Sequence, residues 1–145
     1  MAPGRGPARM SPAIEDLFRA AAAARARAHA PYSGFPVGAA LRDETGTIHA
    51  GCNVENAAYP VGTCAEAGAI AAMVAGGGRR IDAILVLGGG AELVTPCGAC
   101  RQRIREFAEG ATPIHVAGPD GLRRTFSLDE LLPASFGPET LGGGR

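Results

Sequence analysis

Hydrophobic positions along this chain follow two rhythms. Ile14, Leu17, Phe18 and Ala21 recur at helical spacing, just after a Ser11-Pro12 pair. Serine caps a helix start and proline suits its first position, so a helix begins there and fades before Pro31. Val37 to Arg42 and Thr47 to Val54 read as short strands about the turn Asp43-Glu44-Thr45-Gly46. Cys64 to Val74 reads as a helix that Gly76-Gly77-Gly78 stops. The unbroken apolar run Ile81 to Leu87 predicts a buried strand. Cys97 to Phe107 predicts another helix, with Ile104 and Phe107 facing inward. Pro113 to Ala117 and Leu122 to Phe126 predict strands joined across Gly118-Pro119-Asp120-Gly121. Ser127 to Leu132 predicts a last helical turn or two, with Ser127 and Glu130 forming a capping box.

A helix, two strands, then strands alternating with helices give an α/β architecture: a mixed five-stranded sheet with helices on both faces. At 145 residues there is room for one cored domain. It is expected over residues 11–141, between a disordered tail at 1–10 and a loose one at 142–145.

Composition narrows the function. The 14 basic and 14 acidic residues cancel, and the arginines form no stripe, so a nucleic-acid partner is not expected. No signal peptide and no apolar run of membrane length is visible, so the expected compartment is the cytoplasm, without a membrane. There, four cysteines in a chain that carries a C-x-x-C point to metal or redox chemistry before disulfides.

The candidate chemistry lies in Cys64-Ala65-Glu66 and Pro96-Cys97-Gly98-Ala99-Cys100. Cys97 and Cys100 are three apart near a helix start, so they share a face and can grip one ion with Cys64. Thiolate-rich tetrahedral sites suit zinc, and three protein ligands leave a position open for water, the mark of a catalytic site. Glu66 is two residues from Cys64, awkward as a fourth ligand but able to move a proton. Each half-site starts a helix, where free N–H groups and the dipole should lower the thiol pKa values. Cys52, mid-strand, reads as a buried inert thiol. Two readings compete: a redox C-x-x-C with a spare thiol, and a structural zinc module that takes Cys52 as fourth ligand.

With these motifs stand Pro31-Tyr32-Ser33-Gly34-Phe35-Pro36-Val37-Gly38-Ala39-Ala40-Leu41, Gly51-Cys52-Asn53-Val54-Glu55-Asn56-Ala57-Ala58-Tyr59, Arg101-Gln102 and Leu131-Leu132-Pro133-Ala134-Ser135-Phe136-Gly137-Pro138. In this order they resemble the small homotetrameric cytidine deaminases, from about Ile14 to Leu141. The zinc nucleobase deaminases as a class pair such a three-ligand site with an acid/base glutamate. The resemblance implies a three-layer α-β-α sandwich and hydrolysis of cytidine and 2′-deoxycytidine to uridine and 2′-deoxyuridine with loss of ammonia, in pyrimidine salvage. It implies one zinc per subunit on Cys64, Cys97 and Cys100, metal-activated water as nucleophile, and Glu66 as proton shuttle. It further implies Asn53 and Glu55 on the sugar hydroxyl, Phe35 stacked on the base and the Ala65 backbone at the base carbonyl. Tyr59 and Phe136 would reach a neighbour's site in a homotetramer with shared active sites.

The Asn53–Glu55 block carries no Arg or Lys to greet a phosphate, which favours a nucleoside. The blasticidin-S deaminases share the Cys-Ala-Glu and Pro-Cys-x-x-Cys parts and are the nearest enzyme alternative. One position departs from the pattern: many members place arginine after Cys-Ala-Glu, and here it is Ala67. Metal-bound water should then be harder to deprotonate, unless helix N–H groups or Arg101 offset the charge of the three sulfurs.

Overall fold

The computed structural model describes residues 9–142; the tail residues 1–8 and 143–145 lie outside the described residues. The first helix, α1, runs Pro12–Arg25, with the Ser11 hydroxyl accepting the Ile14 N–H at 3.3 Å. Strands β1 (Gly38–Asp43) and β2 (Ile48–Cys52) follow, then α2 (Ala65–Ala75), β3 (Ile81–Leu87) and α3 (Gly98–Phe107). Strands β4 (Pro113–Gly118) and β5 (Gly121–Ser127) and the short α4 (Leu128–Leu131) complete the order. Ser127 and Glu130 form the expected capping box at α4. Two 3-10 turns, Tyr59–Val61 and Pro138–Leu141, carry no apolar period and were not legible beforehand.

The five strands form one mixed sheet in the order β2-β1-β3-β4-β5. Only the β3–β4 pair is parallel, with Ile84 beside Ile114 and Val86 beside Val116; α3 makes the crossover between them. One face packs under α1, through Leu17, Ala21, Ala40, Leu85 and Ala117. The other packs under α2, α3 and α4, through Leu41, Ala69, Met73, Ile84, Ile104, Ile114 and Leu128. The result is the α-β-α sandwich. β3 supplies both faces, which is why its sequence is an unbroken apolar run.

α2 lies unusually close to β2. A Cβ built on Gly51 would sit 2.4 Å from the Ala69 nitrogen and 2.6 Å from the Ala65 oxygen, both backbone. Glycine at 51 is therefore what lets the helix bearing Glu66 rest on the sheet.

Two expectations need correction. β2 ends at Cys52, so Asn53 to Glu55 continue as irregular chain held by isolated bridges from Val54 to His29 and to Thr63. Asn53 N–H still meets the in-register Val37 carbonyl, but the Asn53 side-chain oxygen takes the Val37 N–H, the His29 N–H donates to the Asn53 carbonyl and the His29 carbonyl accepts the Glu55 N–H. Cys52 is consequently the last residue of its strand and half-buried, where a buried mid-strand thiol was expected.

Candidate active site

The half-sites meet where α2 and α3 begin. Cys64 is the N-cap residue of α2 and Cys97 that of α3, both in extended conformation. Cys100 lies in the first turn of α3 and is fully buried. The three sulfurs lie within 4.8 Å of one another, with Cys64 and Cys97 at 3.9 Å. Three soft donors around one point fit a zinc ion, and thiolate is its preferred ligand in such sites. Among the described residues no other His, Cys, Asp or Glu joins this group, Cys52 included, so a four-thiol structural site is not formed.

The thiols do not share one electrostatic fate. Burial raises the pKa of Cys64, and the neighbouring Cys97 and Glu66 add repulsion. Cys100 is pushed far above the usual thiol range, first by burial and then by the charges of Glu66, Cys64 and Cys97. Burial also works against Cys97, but hydrogen bonds from the Cys100 N–H and from both other thiols outweigh it, so its pKa falls. The expected lowering by helix N-termini thus holds for one thiol of the three. Mutual repulsion and desolvation win at the other two, and a cation shared by all three sulfurs is what reverses that balance.

Glu66 is 4% exposed. Burial raises its pKa, against the opposing pull of its own N–H, the Cys100 thiol and the Arg103 charge. A carboxyl of this kind takes up a proton more readily than a surface glutamate does.

Above these groups opens a cavity of about 370 Å³ lined by Phe35, Val37, Asn53, Glu55, Cys64, Ala65, Glu66, Val86, Thr95 and Cys97, among others. Phe35, 42% exposed, presents its ring at the wall. Asn53 accepts the Val37 N–H at 2.9 Å and donates to the Phe35 carbonyl at 2.9 Å. Glu55 takes the Tyr32 and Ser33 N–H groups on Oε1, at 2.9 and 3.0 Å, and the Ser33 hydroxyl on Oε2. Both therefore brace the 32–37 loop as well as facing the cavity. Tyr59 and Phe136 do not line it. Tyr59 is 74% exposed and meets Tyr32 edge-on with ring centroids 5.7 Å apart; Phe136 is 56% exposed.

Val94 and Thr95 on the wall escaped the sequence reading, because that loop has no periodicity. Arg101 makes no hydrogen bond to the three sulfurs among the described residues. It is spent on the Pro96 and Leu131 carbonyls and the Thr95 hydroxyl. Arg103 meets the cluster instead, its Nη1 donating to Cys100 Sγ at 3.5 Å. Its three-residue spacing from Cys100 was the available signal.

Residues 11–116 match the family model for the cytidine and deoxycytidylate deaminase zinc-binding region. The chain belongs to the cytidine deaminase family. A cytidine deaminase of Sporosarcina psychrophila is 43% identical over 128 residues, 88% of this chain and 94% of that protein. The crystal structure of cytidine deaminase from Burkholderia pseudomallei superposes with a TM-score of 0.81 at 41% identity, covering 88% of this chain and all of that one. The enzyme of that name from Mycobacterium tuberculosis gives 0.73 at 37%, over 85% and 96% of the two chains. As a member of this family the chain is an enzyme, a hydrolase acting on a carbon–nitrogen bond, and its cofactor is zinc. No helix among the described residues is long and apolar enough to cross a membrane.

Proposed function

We propose that this chain hydrolyses cytidine and 2′-deoxycytidine to uridine and 2′-deoxyuridine, releasing ammonia, as a cytoplasmic enzyme of pyrimidine salvage. The observation that carries the reading is the trio of sulfurs within 4.8 Å beside the buried Glu66, at the floor of a cavity of nucleoside size. Cys64, Cys97 and Cys100 are the zinc ligands. Bound there, zinc supplies a Lewis acid that makes water nucleophilic near neutral pH.

Glu66 carries the proton traffic. It takes the two protons of the attacking water in turn, passing the first to the base ring nitrogen and the second to the departing amine. Water oxygen replaces the amino nitrogen at C4, and ammonia leaves. The raised pKa of Glu66 supports both halves of that cycle, because the group accepts a proton and still gives it up.

Phe35 stacks on the base, and the Ala65 backbone meets the base carbonyl. Asn53 and Glu55 hold the sugar hydroxyl with capacity the loop leaves over. Glu55 Oε2 accepts one bond from Ser33 and keeps a second lone pair, and Asn53 keeps one donor and one acceptor. No Arg lines the cavity, and the chain has no lysine, which supports a nucleoside over a nucleotide. The exposed Tyr59 and Phe136 support a homotetramer in which neighbours complete each other's sites.

Turnover of cytidine, 2′-deoxycytidine, dCMP, cytosine and blasticidin S, followed by ultraviolet absorbance, tests the assignment. Both nucleosides should be deaminated and the other three spared. Preference for dCMP or blasticidin S would overturn it.

A further inference from the structure

The zinc-site reading leaves a charge to account for. Three thiolates around a dication carry a net negative charge, and Glu66 adds to it whenever it is ionised. α2 offers no cation beside the cluster, since Ala67 follows Glu66. On α3, Arg101 is held by carbonyls and Thr95, and Arg105 by Ser135 and Glu139. At the end of α1, Arg25 is held by the Pro36 carbonyl. Arg103 alone among the described guanidinium groups has a hydrogen bond to one of the three sulfurs, 3.5 Å from Cys100 Sγ.

We propose that Arg103 is a positioning residue of the metal site: its guanidinium orients the Cys100 sulfur and offsets thiolate charge, doing from α3 what no residue of α2 can do. The inference rests on the assignment of Cys64, Cys97 and Cys100 as ligands. Residues three apart on a helix lie over one another, so the side chain reaches Cys100 without strain from the next turn. Cys100 is the buried member of the trio, Cys64 being half-buried and Cys97 exposed, so water is least able to solvate its charge. A cationic N–H donor aimed at that sulfur favours its thiolate and removes a rotation about its side-chain bonds.

The test is zinc affinity, measured by competition with a chromophoric chelator, together with the sulfur-to-cobalt charge-transfer bands of the cobalt-substituted protein. Arg103→Met keeps the apolar stem and drops the charge; it should bind zinc about 10–100-fold more weakly and shift those bands. Arg103→Lys should recover most of the affinity. Arg105→Met, which removes a charge from the same helix, should leave affinity and bands unchanged. Affinity of Arg103→Met within twofold of the parent, failure of the lysine variant to recover, or equal weakening by Arg105→Met would each overturn the proposal. Cys100→Ala in the same titration separates the two levels. If it keeps full zinc, the ligand assignment falls and takes Arg103 with it. If it loses zinc while Arg103→Met keeps it, Arg103 alone falls.

Discussion

Replacing Gly51 by alanine tests how the catalytic helix is seated. The added methyl would stand 2.4 Å from the Ala69 nitrogen, 2.6 Å from the Ala65 oxygen and 2.7 Å from the Gly68 carbonyl carbon. All three are backbone atoms, so no side chain can swing aside. Ordinary contact begins near 3.4 Å, and α2 must retreat from β2 by about 1 Å. Overpacking of this kind costs about 1–3 kcal/mol. In a domain of this size each kcal/mol lowers the melting temperature by roughly 2–4 °C, so a loss of about 2–12 °C is expected. The functional effect should be larger. Cys64 and Glu66 sit at the start of the displaced helix, and a misplacement of about 1 Å can cost about a hundredfold in rate. Differential scanning calorimetry and cytidine turnover on the same zinc-loaded sample measure both. Gly98→Ala is the control, because a Cβ there meets nothing within 4 Å. A Gly51→Ala protein that melted with the parent and turned over at its rate would refute the reasoning.

Acid should unfold the protein partly through Asp43. Its Oδ1 accepts from the Thr45 hydroxyl at 2.7 Å and from two N–H groups, and its Oδ2 meets His49 Nε2 at 2.8 Å. The Thr45 hydroxyl first and His49 second hold its pKa far below the carboxylate range. A depressed folded value stabilises fully above the unfolded pKa of about 3.9, and the benefit drains away as pH falls below it. Melting curves from pH 6 to pH 2.5 should fall less steeply for Asp43→Asn than for the parent, and parallel curves would contradict this. Phe136→Ala should weaken assembly, by roughly 1.5–3 kcal/mol per buried ring, and raise KM together. Sedimentation that found a fully active parent monomer at assay concentration would count against shared sites.

The elements that bury one face were legible because burial writes a period into the sequence. β3 and α3 stand within a residue of where the pattern puts them, α1 starts where Ser11-Pro12 puts it, and Ser11, Ser127 and Glu130 cap as their chemistry requires. The thiol trio was legible because helix geometry ties Cys97 to Cys100 and only one other thiol stood beside a carboxylate. Contacts between segments distant in sequence were not. Nothing local says that Gly51 touches Gly68, that Glu55 braces Ser33, or that Arg101 turns toward Leu131 and leaves the sulfur to Arg103. The end of β2 at Cys52 escaped for the same reason, since the groups that end the ladder are the Asn53 side chain on the Val37 N–H and His29, both set by segments distant in sequence.

The most direct measurement is cytidine deamination by Glu66→Gln, with zinc counted on the same preparation. Glutamine keeps the size of the side chain and loses the ability to carry a proton. The account predicts about one zinc per chain in parent and variant alike, with turnover down by about 10²–10⁴-fold. Near-normal turnover by a zinc-loaded Glu66→Gln protein would contradict it.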